Sequence, residues 1–160
     1  MMDKNTPALP IQALHQMVEQ GNLELVKEFF SQFPDAAIDA PDKDGWTPLM
    51  YAADEGHLEM VKLLLQRGVN VNGLSGFNET ALMCAADRGH FEIAEMLLDA
   101  GADPTVFNDA EEDVFYLAAD NGHTLICEML ETYGGNPEAS TARRRVKWQR
   151  TVSPQQNRPE

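Results

Sequence analysis

The sequence has few cysteines, no long hydrophobic run and little positive charge before its last segment. Its 160 residues include only two cysteines, too few for a disulfide framework and in keeping with a reducing compartment. No run approaches the ~20 apolar residues that span a bilayer, and the first residues lack the basic patch and apolar stretch of a signal peptide. We therefore expect a cytoplasmic protein without a membrane segment.

Charge divides the chain into two parts. Residues 1–137 contain 6 Lys/Arg and 24 Asp/Glu, whereas residues 138–160 contain 6 and 2. The acidic part argues against a binder of duplex DNA, because such proteins need Lys and Arg to replace the counterions on phosphates. It favours partners with basic surfaces. The length fits one domain, and an apolar fraction of 43% is enough for a core.

A period of 33 residues runs through the acidic part. Gly-His pairs begin at residues 56, 89 and 122, Ala-Ala pairs begin at 52, 85 and 118, and glycines stand at 68, 101 and 134. A fixed period of this length is typical of a stacked array of small units, none of which buries its apolar face alone.

One unit, "DGWTPLMYAADEGHLEMVKLLLQRG", predicts two short helices. Thr47 suits the N-cap of the first helix, about Pro48–Glu55, and proline is favoured at the first helical position. Gly56 ends this helix, since glycine readily adopts the left-handed conformation found there. The second helix, Leu58–Gln66, carries the apolar stripe that faces the core.

This unit resembles the ankyrin repeat, whose signature includes T-P-L-H-x-A. The signature stands here as Thr47-Pro48-Leu49-Met50-Tyr51-Ala52, with Met where the family usually has His. The resemblance covers about residues 8–137. It implies an all-α, ankyrin-like helical repeat solenoid of about four stacked helix-turn-helix units with short β-turn/hairpin connections. The predicted units are about 8–41, 42–74, 75–107 and 108–137, followed by a basic, disordered tail over 138–160.

The first and last units depart from the pattern in ways that suit the ends of a stack. Terminal units need a polar outer face, because nothing stacks on them. In the last unit Asp113-Val114-Phe115 replaces Thr-Pro-Leu, with Asp113 as a possible N-cap, and Glu131 stands where other units have leucine. The first helix of the first unit carries several polar residues: Gln12, Gln16, Glu19 and Gln20.

Three evenly spaced histidines, His57, His90 and His123, raise the question of a metal site. Equivalent positions in neighbouring helices lie roughly 8–10 Å apart, whereas zinc needs its ligands at ~2.0–2.3 Å, so they cannot share one ion. The resemblance implies that each histidine ties neighbouring units together by hydrogen bonds. Cys84 and Cys127 have no CxxC spacing and are interpreted as small buried hydrophobes. We predict no catalytic site, no metal and no cofactor.

The resemblance also implies a concave face, formed by the turn tips and first helices, where partner contacts concentrate. Carried onto this sequence, the candidate partner-binding residues are Asp44, Trp46, Asp54, Glu55, Phe77, Glu79, Asp87, Arg88, Glu112, Asp120 and Asn121. Trp46 and Phe77 are large aromatics at turn positions, and aromatic residues are over-represented among interface anchors. Two alternatives stay open: the rings pack against adjacent turns, or the charges only keep the protein soluble.

The tail contains "ARRRVKWQR", an unusual segment after an acidic body. Its candidate contact residues are Arg143, Arg144, Arg145, Lys147, Trp148 and Arg150. Four roles are open: a solvated tail without a partner, a nuclear-targeting or nucleic-acid patch, contact with a separate protein, or docking on the acidic body with Trp148 as the apolar anchor.

Together these features predict a monomeric protein–protein interaction module of the adaptor, scaffold or inhibitor type. It binds a basic partner surface on its acidic concave face and is not an enzyme. The alternative is a regulatory nucleic-acid or nuclear-targeting role through Arg143–Arg150, which would place the protein in the nucleus. Nucleic acid is not the partner expected for the acidic body itself.

Overall fold

The computed structural model describes residues 11–136 and Glu138, and eight helices lie in this part of the chain. They are α1 (Ile11–Glu19), α2 (Leu23–Gln32), α3 (Pro48–Asp54), α4 (Leu58–Gln66), α5 (Ala81–Arg88), α6 (Phe91–Asp99), α7 (Val114–Asp120) and α8 (Thr124–Thr132). Extended pairing among the described residues is limited to one isolated bridge between Phe107 and Asp113. The all-α repeat solenoid predicted from the sequence is therefore confirmed.

The helices form two layers. Within each unit the first helix packs on the second, and the first helices α1, α3, α5 and α7 pack on one another in chain order. The Ala-Ala pairs explain how closely the first helices approach, since Ala52, Ala53, Ala85 and Ala86 are all fully buried. The second helices form the other layer, with α4 against α6 and α6 against α8.

The starts of the first helices are fixed by side-chain caps. Thr47 Oγ1 accepts a hydrogen bond from the backbone N–H of Met50 at 3.4 Å. Asp113 Oδ1 accepts one from Tyr116 at 2.8 Å. Both caps confirm the sequence prediction, including the replacement of Thr by Asp in the last unit, because either side chain satisfies a backbone donor that has no partner within the helix.

One continuous apolar core runs along the stack between the two layers. Its largest fully buried side chains are Leu14, Leu49, Met50, Met60, Leu64, Leu82, Leu97, Ile126, Leu130, Val18, Val26 and Val61. Between the first and second units the Arg67 guanidinium lies 4.6 Å from the centroid of the Phe30 ring, an arrangement that favours cation–π attraction. Gln12, Gln16, Glu19 and Gln20 are exposed, as is Glu131, so both ends have the polar residues that the sequence predicted.

Each joint between units uses the Gly-His pair. The imidazole Nε2 of the later unit lies within hydrogen-bond distance of a carbonyl at the end of the previous first helix: His57 to Glu19 (2.9 Å), His90 to Asp54 (2.9 Å) and His123 to Asp87 (3.1 Å). A Cβ added at Gly56 would lie 2.6 Å from Cε1 of the His90 ring, and Gly21 and Gly89 face similar rings. The glycine therefore leaves space for the histidine ring of the next unit. The contacts of the three histidines confirm the prediction that they tie neighbouring units together.

Candidate partner-binding surface

The first-helix face is the surface formed by the turns 42–46, 75–79 and 108–112 and by the first helices that follow them. Each turn is built by one side-chain oxygen. In the first turn Asp42 Oδ1 accepts backbone hydrogen bonds from Asp44 and Trp46, both at 2.9 Å. Ser75 and Asn108 play the same part in the next two turns, since each accepts from the residues two and four positions ahead.

The turn tips are hydrogen-bonded to one another. The backbone N–H of Gly76 donates to the Asp44 carbonyl at 3.0 Å, and the N–H of Asp109 donates to the Phe77 carbonyl at 3.0 Å. The Asn78 side-chain amide adds a bond of 2.6 Å to the Asp109 carboxylate. These bonds hold successive tips in register, so residues that are 33 positions apart in the sequence form a row on the first-helix face.

The two predicted aromatic anchors lie in different surroundings. Phe77 is 62% exposed, whereas Trp46 is partly buried against the core. The Trp46 ring centroid lies 5.1 Å from that of Tyr51. Trp46 therefore packs within its own unit, and Phe77 is the predicted aromatic whose ring is open to a partner. Leu74, which the sequence analysis did not select, is 49% exposed and lies three residues before Phe77.

A partly buried hydrogen bond supports the Trp46 turn. The Tyr51 hydroxyl donates to Asp42 Oδ2 at 2.6 Å. Burial alone would raise the pKa of Asp42, but the hydrogen bonds from Tyr51 and from the turn amides outweigh it and hold that pKa below its ordinary value. The same bond raises the pKa of the Tyr51 hydroxyl. Asp42 is therefore ionised at neutral pH, and its charge is largely engaged in fixing the turn.

Four predicted carboxylates come together in the middle of the first-helix face. Burial raises the pKa of Glu79, and the negative charges of Asp87, Asp54 and Glu112 raise it further, although a hydrogen bond from Ser75 opposes them. Burial is the larger cause, and the effect of the neighbouring charges shows that Asp54, Asp87 and Glu112 lie near enough to Glu79 to repel its negative charge.

The one predicted cation on this face is already paired. Arg88 Nε lies 2.9 Å from Asp54 Oδ1, and Arg88 Nη2 lies 3.2 Å from Asp54 Oδ2. This bidentate pair crosses from one unit to the next, and the Asp54 side chain is only 16% exposed. In the following joint the Asn121 amide donates to Asp87 at 2.9 Å. Arg88 therefore neutralises Asp54 locally but leaves Glu79, Asp87 and Glu112 as a net negative group.

The remaining predicted positions are exposed at the rim of the face. Asp44, Glu55, Asp120 and Asn121 are all solvent-exposed. The predicted tail contacts, Arg143–Arg150, lie outside the residues that the structure describes.

Comparison with protein families identifies the repeat. A family model described as ankyrin repeats (3 copies) matches residues 14–108. The chain belongs to the ankyrin repeat family. Ankyrin repeats are non-catalytic protein–protein interaction modules, and the described residues contain no group of three or more His, Cys, Asp or Glu side chains placed to hold a metal ion. A search of the described helices also finds none with the length and apolar character needed to cross a membrane.

Several curated proteins are similar to parts of this chain. An ankyrin repeat, SAM and basic leucine zipper domain-containing protein 1 from Carollia perspicillata is 42% identical over 52 residues, which are 32% of this chain and 10% of that protein. Alpha-latrotoxin-Lg1a from Latrodectus geometricus is 42% identical over 60 residues, 36% of this chain and 4% of the toxin. DNA-binding protein RFXANK from Homo sapiens is 35% identical over 69 residues, 43% of this chain and 26% of that protein. The matches thus span about a quarter or less of each of these relatives.

The 33-residue register relates Cys84 to two other residues of the first helices. Tyr51, Cys84 and Leu117 are 33 residues apart and share one position on the first helices. Cys84 is 7% exposed, as expected for a small buried hydrophobe, and Cys127 is partly buried. Burial, together with the charges of Asp54 and Glu79, raises the pKa of the Cys84 thiol. Aligning the units position by position would have placed Cys84 beneath the acidic cluster.

Proposed function

We propose that this ankyrin repeat protein is an adaptor, scaffold or inhibitor-type module that binds a basic segment of another protein on its first-helix face. The observation that carries the proposal is that the charges of Asp87 and Glu112 act on Glu79, which lies two residues after the exposed Phe77. We further propose that the protein acts as a monomer in the cytoplasm and catalyses no reaction.

Electrostatics favours a cationic partner at this place. Like charges held close together raise the free energy of the unbound protein, and a Lys or Arg side chain placed among them removes that cost. The same negative potential attracts a basic segment over a distance of about a Debye length, ~8 Å at physiological salt. Binding is therefore expected to be fast and to weaken as salt is added.

The partner segment also needs an apolar side chain. Phe77 and Leu74 are two of the most exposed large hydrophobic residues of the described chain, at 62% and 49%. Leu74 directly precedes the turn 75–79, which contains both Phe77 and Glu79. Aromatic and apolar anchors surrounded by charged residues are typical of binding surfaces. We therefore infer a segment that combines several Lys or Arg residues with at least one apolar residue.

A peptide-display selection on the full chain tests this proposal even while the partner is unidentified. The probe is a library of random peptides, selected on the immobilised wild-type protein and on a face variant that carries Phe77→Ala, Glu79→Gln and Asp87→Asn. The matched control carries Glu92→Gln, Glu95→Gln and Leu125→Ala. Those three residues are exposed on the second helices, so the control loses the same charge and a similar apolar area elsewhere.

The expected result is a set of peptides rich in Lys and Arg that bind the wild type and the control but not the face variant. Peptides without that enrichment, or peptides that bind the face variant as well as the wild type, would refute the proposal. Circular dichroism of all three proteins checks that the helices are intact.

The alternative, nucleic-acid binding through Arg143–Arg150, rests on residues outside the described part of the chain. It predicts that a DNA or RNA duplex binds the full chain with a steep dependence on salt, and that replacing Arg143, Arg144 and Arg145 by Ser abolishes binding. Our proposal predicts no measurable duplex binding, because the described surface is acidic and repels phosphates.

A further inference from the structure

The outer side of the last unit keeps features that elsewhere receive a following unit. We call this surface the end face; it consists of Phe115, Ala119, Asp120, Gly122 and Glu128. Ala119 is exposed, whereas its equivalents Ala53 and Ala86 are fully buried. A Cβ added at Gly122 would meet no described atom within 4 Å, although its equivalent at Gly89 would lie 2.5 Å from the His123 ring.

The joints inside the stack show which chemistry such a face accepts. At each joint a planar ring lies over the glycine, as His90 does over Gly56. At the second and third joints, a side-chain N–H of the later unit also donates to an aspartate of the earlier one: Arg88 to Asp54 and Asn121 to Asp87. Asp120 occupies the same position as Asp54 in its unit. An occupant of the end face therefore needs a flat ring and nitrogen donors.

The end face is also negatively charged. Asp120 and Glu128 are exposed there, and Glu131 is exposed on the same helix as Glu128. Glu128 is equivalent to Lys62, which lines the groove that α4 forms with α6 of the next unit. Glu131 replaces the leucines at positions 65 and 98. A basic occupant would thus be favoured over an acidic one.

The sequence that follows Glu138 has this chemistry. Residues 139–160 begin directly after the last described residue, and the segment 142–150 contains Trp148 and five Lys or Arg residues. The nine residues of α8 are about 14 Å long at 1.5 Å per residue. The ten residues from Glu138 to Trp148 span up to about 33 Å, so Trp148 can return along α8 to Gly122 with length to spare.

We propose that residues 142–150 dock on the end face of their own chain. Trp148 packs over Gly122 and Ala119 in the place that a histidine ring takes at the internal joints. An arginine of the 143–145 run pairs with Glu128, which is exposed on the end face. A tethered segment has an effective concentration in the mM range, so weak contacts are enough to keep it bound.

This docking site differs from the one expected from charge alone, which was the acidic concave face. The end face lies at the end of the stack, and docking there leaves Phe77 and Glu79 accessible to a partner. The inference is therefore independent of the proposed function, and either can fail without the other.

The test measures the solvent exposure of Trp148 in the full chain. The protein is labelled with 5-fluorotryptophan, which gives one ¹⁹F resonance for each tryptophan, and Trp148→Phe assigns the signal. A soluble nitroxide then broadens each resonance according to its exposure. The variant Ala119→Arg places bulk and positive charge on the end face at an exposed helical position. Gln66→Arg, at the exposed end of α4, adds the same charge far from the end face.

Docking predicts that nitroxide broadens the Trp148 resonance at least about two-fold less in the full chain than in a free 139–160 peptide, because the tethered segment is mostly bound. Ala119→Arg should restore the broadening seen in the peptide, and Gln66→Arg should not. Equal broadening in chain and peptide would overturn the proposal. So would a shielded Trp148 that Ala119→Arg leaves shielded, which would place it elsewhere on the chain, for example on the first-helix face.

A thermodynamic cycle gives a second test that does not depend on the label. Trp148→Ala should lower the unfolding midpoint of the wild type but leave that of Ala119→Arg unchanged, since the contact is already lost there. Additive effects of the two substitutions would contradict docking. Sedimentation at two protein concentrations identifies a second copy as the occupant, and shielding that appears only in a dimer would also overturn the proposal.

Discussion

The Gly-His joint makes a quantitative prediction about stability. Gly56 and Gly68 lie in the same unit, each follows the end of a helix, and their φ angles are +76° and +78°. They differ in surroundings: a Cβ at Gly56 would lie 2.6 Å from the His90 ring, whereas a Cβ at Gly68 would have no described atom within 4 Å. Replacing each glycine by alanine therefore separates backbone strain from the loss of the joint.

The expected magnitudes follow from these contacts. Both alanines acquire left-handed strain of about 1–2 kcal/mol, reduced by roughly 0.4–1 kcal/mol because alanine restricts the unfolded chain. Gly68→Ala should therefore cost about 1 kcal/mol. Gly56→Ala also displaces His90, which adds about 1–3 kcal/mol of overpacking and about 1 kcal/mol for the lost bond to Asp54. The difference between the two variants should be ~2 kcal/mol or more.

Urea unfolding followed by circular dichroism measures both variants against the wild type. In thermal unfolding a difference of 2 kcal/mol corresponds to about 6 °C for a chain of this size. The free energies of unfolding of the two variants should not lie within about 0.5 kcal/mol of each other, which is the usual error of additivity for independent sites. Such a small difference would show that the joint does not stabilise the stack. It would mean that the histidine moves aside at no cost and does not tie the units together.

Three further substitutions probe the first-helix face and its supports. Glu79→Gln should stabilise the protein by up to about 1 kcal/mol at pH 7. The raised pKa of Glu79 means that the wild type loses stability as pH rises above 4.5, and glutamine does not titrate. Urea titrations at several pH values should show that this gain vanishes near pH 3. Asp113→Ala removes the cap on Tyr116 and should cost about 1 kcal/mol, whereas Asp113→Ser should restore most of it; an equal loss in both would argue against capping. Tyr51→Phe removes the hydroxyl that lowers the pKa of Asp42. Because that pKa is below its ordinary value of 3.8, ionised Asp42 stabilises the fold above pH 3.8, and this stabilisation is lost as pH falls below that value. The variant should therefore be less stable at pH 7 and lose less stability than the wild type between pH 5 and 2.

Much of the fold follows from the period and the small-residue positions. Three features act within one unit or between adjacent units: the 33-residue spacing, the N-caps at Thr47 and Asp113, and the Gly-His pairs. They can therefore be predicted from short stretches of sequence. The end units could be recognised because polar residues replace apolar ones where no neighbour stacks, as at Glu131.

The surface could be predicted only in part, because contacts between units decide its details. The pairing of Arg88 with Asp54 joins residues 34 positions apart, and nothing in either unit alone shows that Arg88 turns back towards the earlier helix. The sequence also treated Trp46 and Phe77 alike, since both stand in turns. The 33-residue register separates them: Phe77 is equivalent to the exposed Asp44, whereas Trp46 is equivalent to the partly buried Glu79 and packs on Tyr51.

If Glu79, Asp87 and Phe77 bind a basic segment of another protein, changing them must weaken that binding. We would measure, by isothermal titration calorimetry, the dissociation constant of the best Lys- and Arg-rich peptide selected on the wild type. Phe77→Ala, Glu79→Gln and Asp87→Asn together should weaken binding about ten-fold or more. The matched changes at Glu92, Glu95 and Leu125 should alter it by less than about two-fold. Equal weakening by the two sets, or binding that neither set changes, would contradict the claim.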